Sequence, residues 1–513
     1  MGYISHPKIV PDKVEERKYQ MTLAKDCLNT DTLVVLPTGL GKTIIALYTT
    51  AVVLSESKKV LLMAPTKPLV DQHTSVFSEL LVDTKIGIMN GLMKAETRQK
   101  IVESNELIVS TPQCIANDLE NGMYDMDDFG LVIYDEAHRG TGNYAYVTVA
   151  AHCTEKSISM GLTASPGSDI KKVEEVCRNL RFVRIEIRTE EDPDVAPYIH
   201  DTYVKKIEVN LPKELLDIID VWKALLDYYF KELKDLRLVK ENWPPSRTHM
   251  LMIGESVQKR LRRGERSITL YRGLTVQSIC MKILHAIELA ETQGMSPLRL
   301  YMAKLNEDAL APKGNKGGKE LVARKEYLEV WNMASESKIE HPKVSKLMSL
   351  VSQILNSDTS SKVMVFTQYR DTCDVLIEKL SGIEVAKVGK LIGQSNGGLR
   401  QKEQIGILDE FRTGAKNVIV ATSVGEEGLD VASTNAVIFY EPVPSEIRTI
   451  QRRGRTGRKN DGEVFVLIAK GTMDEVFENS SKKKEDQMRS RLDKLNKELS
   501  YLRKEGQWKL GDF

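Results

Sequence analysis

The stretch "DTLVVLPTGLGKTIIALYTTAVVL", residues 31–54, decides the fold. Its first half is a short apolar, β-branched run, as in a buried parallel strand, and its second half has the apolar pattern of a helix. Between them stands the loop that holds Thr38, Gly39, Gly41, Lys42 and Thr43. A strand, a glycine loop and a helix in this order predict a phosphate-binding loop in an α/β domain.

The residue types in this loop suit phosphate chemistry. Glycines let backbone N–H groups point at phosphate oxygens, the Lys42 ammonium would reach the outer phosphates, and the Thr43 hydroxyl would bind Mg²⁺. The strict eight-residue pattern has a glycine where Pro37 or its neighbour stands, so the loop is the PTGxGKT variant. A glycine turn before a core helix is the alternative, but packing gives no reason for lysine followed by threonine.

A second motif, "FGLVIYDEAHRG", covers residues 129–140. The apolar run predicts another buried strand, with Asp135 and Glu136 at its carboxyl end, where open α/β sheets bind ligands. We expect Asp135 to hold Mg²⁺ and Glu136 to orient and deprotonate an attacking water. Two adjacent carboxylates that only cap a turn are the alternative.

Bulk composition narrows the class of protein. A chain of 513 residues, 41% hydrophobic and 28% charged, predicts two to four globular domains. The net charge of +1 excludes a uniformly basic surface. Six scattered cysteines without a CxxC pair argue against zinc and disulfides and for a reducing compartment. Without a long apolar run we expect no membrane contact, and a cytoplasmic protein in a prokaryote or a nuclear one in a eukaryote.

The motifs along the chain resemble those of superfamily 2 helicases. The first half has "PTGLGKT" (37–43), "APTKPLVDQH" (64–73), "STPQ" (110–113), "DEAH" (135–138) and "LTASP" (162–166), and the second has "VFTQYRDT" (365–372), "ATSVGEEGLD" (421–430) and "QRRGRTGR" (451–458). Within the superfamily the chain most resembles the archaeal Hef helicases and the Fanconi anaemia group M translocase. The RIG-I-like helicases and Dicer share this plan, with a different last motif.

This resemblance implies an α/β fold of two RecA-like parallel-sheet lobes that close on ATP. The spacing of apolar residues over 212–310 and along the charged stretch 482–505 predicts a mostly helical insert between the lobes and a helical C-terminal tail. We place the ATP-binding lobe 1 at 1–198, the insert at 199–340, lobe 2 at 341–475 and the charged tail at 476–513. The strand predicted at 203–212 belongs either to the insert or to lobe 2. No nuclease signature is present, so we expect no nuclease activity.

The resemblance also assigns roles around the nucleotide. Gln20 would read the adenine edge and Arg17 could stack on its ring. Arg455 and Arg458 would reach the γ-phosphate as arginine fingers, and "RRGRTGR" as a basic nucleic-acid patch is the alternative. The remaining residues assigned to this cleft are Gln451, Gly428 and Asp430.

Two further groups of residues follow from their register in the motifs. His138, Thr163 and Ser165 would couple the nucleotide state to lobe closure. Thr66, Thr111 and Thr422 would lie on the DNA face, because small hydroxyls at loop tips suit phosphate oxygens.

The insert shows one strongly basic segment, "VQKRLRRGERSITLYR" (257–272), with six basic residues and one acid. Between two motor lobes it predicts a contact with duplex or forked DNA through Arg260, Arg262 and Arg263. A solvated helix face is the alternative. The glycine-lysine stretch "APKGNKGGKE" (311–320) predicts an exposed, mobile loop.

The chain ends on "QWKLGDF", which fits Gln-x-x-aliphatic-x-x-aromatic with Gln507, Leu510 and Phe513. The pattern resembles the motif that docks on the sliding clamp PCNA, although that motif usually ends in two aromatics. A tail that packs on its own protein is the alternative.

The sequence therefore favours a helicase or translocase that uses Mg²⁺ and ATP on forked or branched DNA in replication-fork repair. A duplex-RNA-stimulated ATPase sensor similar to RIG-I and Dicer is the first alternative. A clamp-bound scaffold with a vestigial ATPase is the second, and the intact lysine, acids and arginines count against it.

Overall fold

The protein is described by a computed structural model. It describes residues 2–164, 166, 169–189, 192–198, 202–240, 242–312, 314–393, 398–422, 434–442, 462–480, 483, 490, 491, 494 and 497.

The first lobe is built on a parallel sheet in the strand order β3-β4-β2-β5-β6-β1-β7. Its first and fifth strands are buried along their whole length, which is why their sequences are continuous apolar runs and do not alternate. The strands are β1 (Thr32–Val35), β2 (Lys59–Met63), β3 (Ile86–Met89), β4 (Leu107–Ser110), β5 (Phe129–Asp135), β6 (Ile158–Thr163) and β7 (Arg184–Ile187).

Helices cover this sheet, and their apolar side chains pack against those of the strands in two core clusters. They are α1 (Lys18–Asn29), α2 (Lys42–Ser55), α3 (Lys67–Leu80), α4 (Ala95–Ser104), α5 (Pro112–Glu120), α6 (Ala145–His152) and α7 (Ile170–Asn179).

The second lobe has a parallel sheet in the order β10-β11-β9-β12-β13-β8. Its strands are β8 (Thr202–Val209), β9 (Val363–Phe366), β10 (Val388–Leu391), β11 (Val418–Ala421), β12 (Ala436–Phe439) and β13 (Gly462–Ala469). β8 pairs with β13 along eight residues at the edge of this sheet. The strand that the sequence left unassigned therefore lies in the second lobe, ahead of the helical part of the insert.

A helical bundle separates β8 from the rest of the second lobe. Trp222 and Tyr327 meet edge to face in its core, with ring centroids 5.8 Å apart. The bundle consists of α8 (Lys213–Asp235), α9 (Arg247–Arg262), α10 (Ile268–Thr292), α11 (Met295–Leu310), α12 (Lys316–Val322) and α13 (Lys325–Glu336), and the second lobe continues with α14 (Pro342–Ser357), α15 (Arg370–Leu380) and α16 (Gln401–Thr413).

The prediction of an exposed loop over 311–320 was wrong for its second half. α12 begins at Lys316, and Gly317 and Gly318 are buried. Asn315 starts this helix by accepting hydrogen bonds from the N–H groups of both glycines. A Cβ on Gly317 would stand 3.0 Å from the Thr275 carbonyl of α10, so glycine here permits close helix packing and not mobility.

The insert meets the second lobe at the carboxyl end of α10, a contact we call the junction. The Tyr369 hydroxyl donates to Glu288 Oε1 at 2.7 Å, and the Thr372 hydroxyl donates to Gln293 Oε1 at 2.8 Å. The Met473 N–H donates to Glu291 Oε2 at 3.0 Å. These bonds tie α10 to the start of α15 and to the turn after β13.

Beneath the junction, on the side of the second lobe, lies a buried ion pair, which we call the floor of the junction. Lys343 Nζ lies 2.8 Å from Asp474 Oδ2, and both side chains are wholly shielded from solvent. Beside them His341 Nε2 donates to the Glu291 carbonyl oxygen at 3.1 Å, and His341 Nδ1 accepts from the Lys343 N–H.

Of the helices in the described part of the chain, none combines the length and the apolar character needed to cross a bilayer.

Candidate functional site

The site lies where three neighbouring strands of the first lobe end. β6 stands between β1 and β5, and all three run parallel. The glycine loop after β1, Thr163 at the end of β6 and Asp135 at the end of β5 therefore share one edge of the sheet. The topology alone brings together motifs that are more than ninety residues apart in sequence.

The loop after β1 has the backbone of an anion cradle. Gly39 and Gly41 have φ of 96° and 81°, a region that favours glycine, and α2 begins at Lys42. Helix N–H groups and the helix dipole therefore point out of the loop toward any bound anion. Lys42 Nζ donates to the Leu36 carbonyl at 2.9 Å, so its ammonium is held within the loop. Thr38 and Thr43 are half-buried beside it.

Gln20 in α1 lies against this loop. Its Nε2 donates to the Leu40 carbonyl at 3.0 Å, while its Oε1 is buried with no hydrogen-bond partner among the described residues. A Cβ on Gly41 would collide with Gln20 Nε2, so the glycine is required for this approach. A buried acceptor without a partner costs free energy, which a ligand that donates a hydrogen bond would recover.

Arg17 precedes α1, and its side chain contacts two residues of the same lobe. Its guanidinium lies 5.6 Å from the centroid of the Tyr198 ring and 3.2 Å from a Glu15 carboxylate oxygen. The predicted stacking on adenine stays a prediction.

Asp135 is buried and bonded at both carboxylate oxygens. Its Oδ2 accepts from His73 Nε2 at 2.8 Å, and its Oδ1 accepts from the Glu136 N–H at 3.1 Å. Burial works to raise the pKa of Asp135, but His73, Lys42 and the Glu136 N–H outweigh it and hold the pKa below its ordinary value. The carboxylate is therefore ionised at neutral pH, as a metal ligand has to be.

Glu136 occupies a strained backbone position, with φ of 50° in the left-handed region. This turn directs its carboxylate to His138, whose Nδ1 lies 3.3 Å from Glu136 Oε2 and 3.1 Å from the Thr163 hydroxyl. Three residues from two motifs, "DEAH" and "LTASP", thus form one connected group. The His138 imidazole contacts both Glu136 and Thr163, so a change at one of these two residues can reach the other through it.

Sequence reasoning missed two residues that hold Asp135. His73 lies in α3 within the quoted motif "APTKPLVDQH" but was not singled out, and Tyr146 lies in α6 outside every motif. The Tyr146 hydroxyl donates to the Asp135 carbonyl and stands 3.2 Å from the Met63 carbonyl. A usable signal for His73 was its helical register with apolar Val70 and Phe77, which predicts a buried imidazole.

The predicted DNA-facing threonines follow strand ends on the same side of their sheets. Thr66 is exposed after β2 and Thr111 is half-buried after β4, each at the start of a helix. Neither hydroxyl caps its helix. Thr422 follows β11 and is only 4% exposed.

The basic segment of the insert, which we call the basic turn, covers the end of α9, the connection 263–267 and the start of α10. Its charged side chains are exposed except Arg272, which is half-buried and pairs with Glu232 and Glu320. Arg260 pairs with Glu265 at 2.8 Å, whereas Arg262 and Arg263 have no ion-pair partner within the described ranges. Near this basic turn the apolar side chains of Ile268 and Tyr271 are 90% and 54% exposed.

Several predicted residues lie outside the described part of the chain. They are Ser165, Gly428, Asp430, Gln451, Arg455, Arg458, Gln507, Leu510 and Phe513.

Three family models match the chain in succession. Residues 13–168 match the res subunit of type III restriction enzymes, 213–341 match the helical bundle of an ATP-dependent RNA helicase, and 343–460 match the helicase conserved C-terminal domain. This order of two lobes around a helical bundle defines a superfamily 2 helicase, a hydrolase.

The solved structure of the Pyrococcus furiosus Hef helicase domain matches with a TM-score of 0.69 and 40% identity, over 91% of this chain and 98% of that one. The chain therefore belongs to the Hef and Fanconi anaemia group M family, which confirms the prediction from the motifs. A Methanocaldococcus jannaschii protein described as an ATP-dependent RNA helicase is 38% identical over 98% of this chain, and the mouse Fanconi anemia group M protein homolog is 30% identical over 93%. The chain spans 63% and 26% of the lengths of these two relatives.

Proposed function

We propose that this chain is a motor that hydrolyses ATP with Mg²⁺, moves on DNA and remodels forked or branched DNA. The observation that carries the proposal is the convergence of Lys42, Asp135 and Glu136 at one sheet edge of a helicase lobe. The exposed basic turn of the insert supplies the second half of the argument.

The residues of the first lobe fit a magnesium nucleotide. The cradle of Gly39 and Gly41 would bind the phosphates, and Lys42 would leave the Leu36 carbonyl to reach them. The vacant hydrogen-bonding capacity of Gln20 Oε1 suits the exocyclic amine of adenine. Thr43 and the ionised Asp135 are the oxygen ligands that Mg²⁺ prefers, and when bound this ion would neutralise charge on the phosphates.

Glu136 is the residue we assign to the attacking water. Its Oε2 is buried, has no hydrogen-bond partner among the described residues, and faces His138. A carboxylate with an unused acceptor beside the cradle can take the proton of a water aimed at the γ-phosphate. Arg455 and Arg458 stay the predicted fingers for the charge that develops there, with Gln451, Gly428 and Asp430 beside them.

The contact with forked DNA is assigned to the basic turn. Arg262 and Arg263 present unpaired charge, as a phosphate contact requires, and the half-exposed Tyr271 ring offers a face for an unpaired base. DNA is favoured over RNA because several relatives are described as DNA helicases, including the Neurospora crassa protein at 30% identity over 90% of this chain. The archaeal relative described as an RNA helicase keeps the RNA sensor as the second candidate.

The deciding experiment is ATPase activity measured with single strand, duplex, fork and four-way junction, each as DNA and as RNA, with and without Mg²⁺. We expect forked or four-way DNA to stimulate most. Strongest stimulation by duplex RNA would favour the sensor, and activity without Mg²⁺ would contradict the metal assignment.

Clamp binding through Gln507, Leu510 and Phe513 is part of the same proposal. It is tested by calorimetry of a peptide spanning 504–513 against PCNA from the same source, beside the full chain with Leu510→Ala and Phe513→Ala. Equal binding by wild type and double mutant would contradict it.

A further inference from the structure

His73 is buried at the site but is not among the residues assigned to the nucleotide, the metal or the DNA. The residue is 5% exposed, and its Nε2 donates to Asp135 Oδ2 at 2.8 Å. We propose that His73 is a positioning residue that links the nucleic-acid contact at Thr66 to the metal ligand Asp135, so that hydrolysis responds to bound nucleic acid. The inference rests on the proposed function, which supplies the nucleic acid and the metal.

Packing alone gives no reason for a histidine at this position. Val70 and Phe77 flank it on the buried face of α3, and the His73 ring meets the Phe77 ring edge to face at 6.3 Å. A leucine would fill the same space without burying polar atoms. The second ring nitrogen, Nδ1, is buried with no hydrogen-bond partner in the described part of the chain. The bond to Asp135 is therefore what offsets the cost of burying the imidazole.

A single helix connects the two ends of the proposed link. Thr66 is exposed immediately before α3, and His73 lies seven residues further along, about 10 Å at 1.5 Å per residue. Because the buried face of α3 packs in the lobe core, a displacement at the start of the helix would be transmitted along it. A phosphate that draws in the start of α3 would therefore shift His73 and, through it, the Asp135 carboxylate.

A second contact brackets the same segment from its other side. The segment 64–66 follows Met63, the last residue of β2. The Tyr146 hydroxyl stands 3.2 Å from the Met63 carbonyl and also donates to the Asp135 carbonyl. Both flanks of the predicted DNA-facing loop are thus connected to Asp135. Tyr146 links the strand before the loop to the Asp135 main chain, and His73 links the helix after it to the Asp135 side chain. This arrangement fixes the loop and the metal ligand to each other.

The test uses three variants of the full chain. His73→Leu removes the donor at similar volume, His73→Gln keeps a donor at similar reach, and Phe77→Leu disturbs the packing of α3 without touching Asp135. Two quantities are measured for each: affinity for a fluorescent ATP analogue, with Mg²⁺ and with EDTA, and the Mg²⁺ concentration that gives half-maximal ATPase, with and without forked DNA.

We expect His73→Leu to raise the half-maximal Mg²⁺ concentration about 10- to 100-fold, the usual cost of losing a residue that orients a metal ligand. Affinity in EDTA should be unchanged, stimulation by DNA should fall, and His73→Gln should recover most of both losses. Phe77→Leu should keep the wild-type Mg²⁺ dependence.

Two outcomes would overturn the inference. Wild-type Mg²⁺ dependence in His73→Leu removes any role at Asp135, and equal losses for His73→Leu and Phe77→Leu, with Mg²⁺ and with EDTA alike, reduce His73 to a packing residue. Failure of the proposed function looks different, because the wild type itself would then show no stimulation by any nucleic acid.

Discussion

The nucleotide site of the first lobe and the junction of the second lobe are both polar clusters, but they are assembled in different ways. The site uses residues at the carboxyl ends of strands or in the loops that follow them, such as Asp135 at the end of β5 and Lys42, which begins α2 after the glycine loop. The junction joins side chains from helices and turns. Its hydrogen bonds connect Glu288 with Tyr369, 81 residues away, and Glu291 with Met473, 182 residues away.

This difference explains which cluster the sequence reveals. A parallel sheet places the carboxyl ends of its strands at one edge, so short motifs after buried runs must converge. The junction depends on how a helical bundle packs against a lobe, and a buried glutamate in a long helix has no local pattern that names its partner. Chemistry at strand ends can be predicted, whereas contacts between domains have to be observed.

The largest effect is expected at the nucleotide site. Glu136→Gln should lower kcat by about 10²- to 10⁴-fold, because the attacking water loses its base. Nucleotide should still bind, since Lys42 and Asp135 are untouched, whereas Lys42→Ala should weaken binding as well as turnover. Stopped-flow binding of a fluorescent ATP analogue and steady-state ATPase separate the two.

Glu155→Gln, at an exposed acid of the same lobe, is the matched control and should behave as wild type. Loss of nucleotide binding in Glu136→Gln would mean that the two adjacent acids have been assigned the wrong way round.

Most of the first lobe follows from the sequence, and the exceptions have physical causes. The buried strands and the glycine loop are predictable because continuous apolar runs and glycines have few other uses there. β8 could not be assigned to the insert or to the second lobe, because the sequence of a single edge strand does not show which strand it pairs with. The stretch around Gly317 was mistaken for a loop, since its glycines serve helix contact. His73 was passed over because an imidazole on an apolar face gives no hint of its partner.

The second prediction concerns the floor of the junction. Lys343→Met should destabilise the protein by about 3–5 kcal/mol, because Asp474 would lose its partner charge in a fully buried place. Burial already raises the pKa of Asp474 despite the nearby Lys343, so desolvation outweighs the attraction. The double change Lys343→Met with Asp474→Leu should therefore recover most of the loss. Urea titration followed by circular dichroism measures both.

A double variant as unstable as the single one would show that Asp474 acts mainly through its other bond, which it accepts from the Ala469 N–H at 2.9 Å. The junction would then depend on the turn after β13 and not on the ion pair.

The third prediction tests whether the insert acts as the DNA contact. Changing Arg260, Arg262 and Arg263 to glutamine should lower affinity for forked DNA about 10- to 100-fold at low salt and flatten the salt dependence by up to three counterions. ATPase without DNA should persist, because the basic turn belongs to a different domain from the nucleotide site. Fluorescence anisotropy across a salt series gives both quantities.

A different variant of the same turn should not lower the affinity for forked DNA. Glu265→Gln releases Arg260 from its ion pair, so affinity for forked DNA should hold or rise. If the triple variant binds as wild type does, the basic turn is a solvated surface and the fork contact lies elsewhere.

The smallest effect returns to the junction and concerns pH. Burial, and after it the neighbouring Lys343 charge, holds the pKa of His341 well below its ordinary value of 6.5. Nε2 donates to the Glu291 carbonyl and Nδ1 accepts from the Lys343 N–H, so only the neutral ring satisfies both contacts. Protonation would lose the second bond and place two cations side by side, with Asp474 and the Tyr440 ring as the nearby groups that face Lys343.

The sign follows from proton binding. Below pH 6.5 the unfolded chain takes up a proton at His341 that the folded chain refuses, so the contribution to stability is complete above pH 6.5 and falls as the pH drops. Below pH 6.5 the loss grows by at most about 1.4 kcal/mol for each unit of pH. His341→Asn keeps a side chain that can cap α14 and removes the titration, so its urea midpoint should change less between pH 7.5 and 5.5 than that of the wild type. The exposed His152→Asn should retain the wild-type slope. If the urea midpoints of all three proteins changed equally with pH, His341 would not be a buried neutral histidine. The fold would then not set the protonation state of the groups at the junction.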